Sequence, residues 1–261
     1  DMFEITSSVD ETGTTVWDID VKDLSSPMFC YVINTSRLYW RKEIEERFAT
    51  EKERKAYHEA HKFEIAGEGL SETEIQEQKL NLVNKIFSIG YMLHRHKDPS
   101  RAWAPQAKDN KIGSDGECNG RSGKSFLFKA FEHFMKQIKL RGRNPKLMDN
   151  QHVFDQVDKS TDFILVDDCS QDLSMKDFYD LVTGDFSVNP KNNRSFTIPF
   201  NKAPKLGFTT NYVPYDFNAS TMARLLPMVF SDYYHERAPE NDYIENRSIR
   251  DDFFGRTLLT E

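Results

Sequence analysis

Hydrophobic and polar positions change rhythm near residue 100. Before it, alternating runs at Val16-Trp17-Asp18-Ile19-Asp20-Val21 and Met28-Phe29-Cys30-Tyr31-Val32-Ile33 predict strands. Arg41 to Lys62 is densely charged in both signs, with Ile44, Phe48 and Tyr57 as its sparse apolar positions. That is the pattern of a helix with a solvated face. Ser71 and Glu74 have capping-box spacing, and Ile75, Leu82, Ile86, Ile89 and Leu93 then recur at helical spacing. Residues 1–98 therefore predict a mixed, mostly helical front section, and Asp98-Pro99-Ser100 marks a boundary.

Strand and helix patterns alternate over 99–261, which argues for a three-layer α/β domain. Ser125 to Leu140 predicts one helix, with Leu127, Phe131, Phe134 and Ile138 on a stripe. A short strand near Lys146-Leu147-Met148 and a return helix over 152–157 are expected next. Phe163-Ile164-Leu165-Val166 is an apolar run that ends in acid, as a buried parallel strand does. Lys205 to Thr210 is a second central strand. Ala102 to Ala107 is a weaker one, because Pro105 suits an edge or an interruption.

Composition narrows the classes of function. With 38% hydrophobic residues the chain can build a core. Its net charge of -7 excludes a surface that is basic all over, so nucleic acid must be met by a local patch. No apolar run approaches the roughly 18 residues of a membrane span. Cys30, Cys118 and Cys169 are few, odd in number and far apart, which suits a reducing, cytoplasmic interior better than a disulfide framework. The His58/His61 and His94/His96 pairs have no cysteine company and read as surface helix residues rather than a metal site. Opening at Asp1-Met2 with no start-like stretch, the chain reads as a segment of something longer.

The densest chemical signal is Gly116-Glu117-Cys118-Asn119-Gly120-Arg121-Ser122-Gly123-Lys124-Ser125, running into a helix at Phe126. Glycines let backbone N–H groups curl around an anion, and a helix N-terminus adds partial positive charge. Lys124 would meet the β and γ phosphates of ATP, and Ser125 would hold Mg²⁺. Cys118 stands where this loop type usually begins with glycine. The alternative is a chance Gly-Lys-Ser turn before a helix.

Asp167 and Asp168 follow the Phe163 run, which suits one carboxylate for Mg²⁺ through water (Asp167) and one for the attacking water (Asp168). An ordinary strand that ends in acidic loop residues has the same pattern. Asn211, after Phe208-Thr209-Thr210, could sense the γ-phosphate or simply begin a turn. Phe186-Ser187-Val188 and Phe196-Thr197-Ile198 predict a β-hairpin with Lys191 and Arg194 at its tip. The tip suits a DNA phosphate backbone, with Lys202 and Lys205 extending the patch, or is a solvated hairpin. Arg224, in an apolar setting, is a candidate arginine finger or a structural ion-pair partner; Arg237 and Arg256 are weaker candidates.

The order Gly120 to Ser125, Val166-Asp167-Asp168, Lys191/Arg194, Thr209-Thr210-Asn211, Arg224 resembles superfamily 3 helicases, above all those of primase-helicases from phages, large DNA viruses and mobile elements. The resemblance covers about residues 100 to 237 and is most specific at Asn119–Phe126, Phe163–Cys169 and Leu206–Pro214. It implies an AAA+-like P-loop NTPase fold behind a helical segment, ATP and Mg²⁺ as cofactors, single-stranded DNA as partner and a hexameric ring. It also implies a possible primase partner in replication, Lys191 and Arg194 in the pore hairpin, and Arg224 as the finger of the neighbouring subunit. A different P-loop ATPase, such as a protein remodeller or signalling switch, and a non-hydrolysing assembly module are the alternatives.

Overall fold

The computed structural model describes residues 1–110, 122–212 and 218–253. In chain order its elements are β1 (Phe3–Val9), β2 (Thr15–Val21), α1 (Pro27–Asn34), α2 (Trp40–Glu43), α3 (Glu51–Ala60), α4 (Glu72–Met92), β3 (Ala104–Asp109), α5 (Lys124–Phe131), β4 (Gln137–Arg141), β5 (Phe163–Cys169), α6 (Tyr179–Thr183), β6 (Phe186–Val188), β7 (Phe196–Ile198), β8 (Lys205–Thr210), α7 (Ala219–Met222), β9 (Leu225–Phe230) and α8 (Ile249–Asp252), with three short 3-10 turns between them. They form two compact units that are contiguous in space rather than in sequence. One holds residues 1–87, 120–123 and 229–261, the other 88–119 and 124–228. The sequence pattern suggests instead a single division at 98/99.

In the first unit, β1 and β2 pair antiparallel. Met28 to Ile33 is helical, not the expected strand: the Ser26 side chain caps the Phe29 N–H and Pro27 starts the first turn. The alternation there is misleading because Phe29 to Asn34 are buried on every side. The charged stretch 41–62 is two helices rather than one. Thr50 and Glu53 form a full capping box that restarts the chain as α3. The Ser71/Glu74 bonds at the start of α4 form as expected. His58 is not a surface residue: its ring contacts Asp252, Tyr233 and Arg247.

In the second unit a five-stranded sheet has the order β4-β5-β8-β3-β9. The β4–β5, β5–β8 and β8–β3 pairings are parallel. Alternation along β5 sends side chains to opposite faces. Ile164 and Val166 join Leu206 and Phe208 in a core with Phe178, Val182, Phe186 and Ile198. Phe163 points the other way and stacks on Phe128 of α5, ring centroids 6.0 Å apart. Helix, sheet and a second covering layer are therefore stacked, and the expected P-loop NTPase-like α/β sandwich is what the chain adopts.

Four local expectations fail. The helix after the glycine loop stops at Phe131, and Ile138 and Leu140 lie in β4. Residues 147–149 make a 3-10 turn, and 151–156 are turns, not a helix. Ala104–Asp109 is an interior strand between β8 and β9 despite Pro105. The proline is tolerated because the register with β8 begins one residue later, at Gln106.

Candidate functional site

Parallel strands that run side by side bring their carboxyl ends to one edge, where α/β folds place their sites. The ends of β3, β8 and β5 are adjacent here, and each supplies a polar residue. Asp109 closes β3 and Asn211 follows β8. Asp167 and Asp168 lie near the end of β5.

Lys124, the first residue of α5, ties two of these ends together. Its ammonium forms an ion pair with Asp109 and donates to Asn211 Oδ1 at 2.8 Å. Both members of the ion pair are buried, Lys124 at 8% and Asp109 at 7% exposure. Such a pair is retained at a desolvation cost that only good geometry offsets.

Thr209 ties β8 to the acidic end. Its hydroxyl donates to Asp167 Oδ1 at 2.6 Å and accepts from the Asp168 N–H at 2.7 Å. Asp167 Oδ2 lies 2.7 Å from Lys139 Nζ of β4. Asp168 pairs with the exposed Arg143. The β5–β8 register shifts between Val166 and Cys169, and Asp168 sits at φ 56. The bulge aims the two neighbouring carboxylates at different cations instead of alternating them across the sheet.

Of the loop residues, Asn119 lies in the stretch 111–121 with Gly120 and Arg121, outside the described residues. Ser122 is buried, Ser125 is exposed and Phe126 is half-buried. Gly123 has φ 97, a left-handed conformation that glycine adopts without cost. In the first unit, the Tyr31 hydroxyl donates to the Gly123 carbonyl at 2.7 Å.

The β6–β7 hairpin forms with Val188 opposite Phe196, and its tip residues Lys191 and Arg194 are exposed. Lys202 is exposed as well, but Lys205 does not extend that patch: at 1% exposure it is buried in β8, its ammonium on the Tyr91 carbonyl. Arg224 is folded onto its own unit. It donates to the Ser220 carbonyl at 3.0 Å and its guanidinium lies 4.7 Å over the Tyr179 ring. Arg237 donates to the Ile244 carbonyl, and Arg256 is outside the described residues. No group of three or more metal-ligating side chains occurs among the described residues. No described helix is long and apolar enough to cross a membrane.

Sequence reasoning missed Asp109, Lys139 and Arg143, and it gave Thr209 no role. Asp109 is not preceded by an apolar run: β3 reads Ala-Pro-Gln-Ala-Lys-Asp, so the pattern of an apolar strand ending in acid, visible at β5, is missing there. The two β4-side cations had no signal either, because the pattern over β4 reads as helix.

No protein-family model matches the chain. No curated protein matches it in sequence. Among solved structures, the apo C-terminal region of NrS-1 aligns with a TM-score of 0.42 and 12% identity, over 68% of this chain and 39% of that one. A JCV helicase bound to a thiazolopyridine acetamide aligns with a TM-score of 0.38 and 11% identity, over 79% of this chain and 46% of that one. The chain spans less than half the length of either structure. At these scores neither likeness bears on its activity.

Proposed function

We propose that the chain is an ATP-hydrolysing DNA helicase motor of the superfamily 3 kind, which moves on single-stranded DNA during replication of a phage or mobile element. The observation that carries this reading is the meeting of Lys124 with the ends of β3 and β8, while Thr209 of β8 holds Asp167 at the end of β5. A cation on a helix N-terminus, a neutral amide and a pair of carboxylates at one sheet edge are the groups that ATP hydrolysis requires.

The residues present suit a magnesium triphosphate. Gly123 in a left-handed conformation opens the start of α5, and Lys124 lies in its first turn. Lys124 would hold the phosphates; Ser125 and Asp167 would hold Mg²⁺. When bound, the ion neutralises charge on the phosphates. Asp168 would orient the attacking water, and Asn211 would report loss of the γ-phosphate to β8 and, through the chain before it, to the hairpin. Lys191 and Arg194 would grip the DNA backbone. Arg224 would act on the neighbouring subunit of a hexameric ring, in the cytoplasm, alongside a primase.

A second reading, a P-loop ATPase without translocation, draws on Arg224, which Ser220 and Tyr179 of its own unit already hold. ATPase assays with and without single-stranded DNA, beside native mass measurement, separate the two. A helicase motor is stimulated by DNA, loses all turnover on Lys124→Ala, and loses only the stimulation when Lys191 and Arg194 become Ala. Turnover by a monomer that ignores DNA would leave the second reading standing.

A further inference from the structure

The amino ends of the strands, opposite the Lys124 edge, carry a second concentration of cations. A cavity of about 540 Å³ there is lined by Arg95, Lys159, Thr197, Ile198, Asn201 and Lys202, among others. Lys159 precedes β5 and Lys202 precedes β8, so about 20 Å of strand separates them from the Asp109 and Asp167 end.

The cavity is built rather than incidental. The Arg95 guanidinium donates to the Lys159 carbonyl at 3.1 Å and also to the Lys202 carbonyl. One side chain thereby staples the two loops and brings two exposed lysines to one opening. Behind them lie two more lysines. Lys97 is 4% exposed, its ammonium 4.5 Å from the centre of the Phe200 ring and without a hydrogen-bond partner among the described residues. Lys205 is fully buried. Burial, then the nearby Arg95 charge, lowers Lys97 to about 8, and burial, then the Lys97 charge, lowers Lys205 to about 7. Carboxylates near the cavity are Asp162, 3.8 Å from Arg95, Asp185, which accepts the Phe200 N–H, and Asp158, the chain neighbour of Lys159, whose side chain pairs with Lys136. In a chain of net charge -7, this excess of cations around one opening favours an anion.

Continuity with the hairpin selects the anion. Thr197 and Ile198 of β7 line the cavity, three residues beyond Arg194 at the basic tip. That distance is about 10 Å of strand, close enough for one nucleic-acid strand to meet both the tip and the cavity. We infer that this cavity is a second phosphate-backbone subsite for nucleic acid, with Lys159 and Lys202 supplying charge and Thr197 and Asn201 hydrogen bonds to the strand that the hairpin tip engages. The inference rests on the DNA reading above and adds a site to it.

The test is fluorescence anisotropy of a labelled single-stranded oligonucleotide over a salt series, with no nucleotide present. The Lys159→Ala/Lys202→Ala double variant is compared with wild type and with Lys129→Ala/Lys176→Ala, which removes equal charge from exposed lysines that do not line the cavity. The staple uses the backbone carbonyls of Lys159 and Lys202, so the variant keeps its fold, checked by circular dichroism. Expected are an affinity loss of about tenfold and a salt slope smaller by about 0.7 for each phosphate no longer neutralised, with the control unchanged. Wild-type affinity and slope in the cavity variant, with binding abolished in Lys191→Ala/Arg194→Ala, overturn the cavity alone. No binding by the wild type overturns the DNA reading and the subsite with it.

Discussion

Lys124 and Asp109 form a buried ion pair between the start of α5 and the end of β3. The carboxylate occupies the ammonium that the proposed triphosphate would use. Asp109→Asn removes that competitor but leaves a buried cation with a weaker partner. Losing one member of a buried pair costs about 3–5 kcal/mol. The variant is expected to melt well below wild type without nucleotide, to recover most of the loss at saturating Mg·ATP, and to show a lower KM. Thermal melts with and without nucleotide check this; a KM above that of wild type would show that Asp109 helps binding.

Thr209 holds both aspartates through one hydroxyl, accepting from one backbone and donating to one carboxylate. Thr209→Val keeps the shape and removes both bonds. A loss of about 1–2 kcal/mol in stability is expected. Turnover should fall about 10–100-fold, as for other residues that orient a site, while Thr209→Ser restores most of it. Full turnover in Thr209→Val together with a loss in Thr209→Ser would mean that packing of the methyl group matters, not the hydroxyl.

Gly142 follows β4 where the Asp167 carbonyl accepts its N–H at 2.7 Å. A Cβ there would stand 2.7 Å from Cys169 Cα, closer than real side chains come. Because that neighbour is backbone, β5 must shift. Gly142→Ala is expected to cost about 2–3 kcal/mol or more and to displace Asp167. Urea unfolding measures the first effect and turnover at saturating ATP the second; a variant as stable as wild type would refute the close approach.

Burial lowers Lys205 to about 7, Lys97 to about 8 and Lys85 well below the usual lysine value. The unfolded chain, with lysine near 10.4, therefore binds more protons than the native one between about pH 7 and 10. Stability is expected to rise with pH across that window. Above pH 10 it falls again, because burial raises Tyr233 to about 12 and the unfolded tyrosines ionise first. Lys205→Met should flatten the rise between pH 7 and 9 in denaturant titrations; an unchanged slope would exclude Lys205 as its source.

The fold class and the identity of Lys124, Asp167, Asp168 and Asn211 as polar residues beside β strands or a helix start were legible in the chain. A glycine loop before a helix and apolar runs that end in acid are local patterns, set by backbone freedom and side-chain period. The hairpin of Lys191 and Arg194 was local as well, fixed by alternation and a turn-rich tip. What the chain alone did not decide was which strands are neighbours. Only the order β4-β5-β8-β3-β9 brings Asn211 to Lys124, and Lys139 and Arg143 to the aspartates, across long stretches of sequence. Tertiary packing also overruled local preference at Met28–Ile33, at Pro105 and at Ile138–Leu140, because burial on both faces and pairing with neighbours outweigh the few tenths of a kcal/mol that separate helix from strand at one residue.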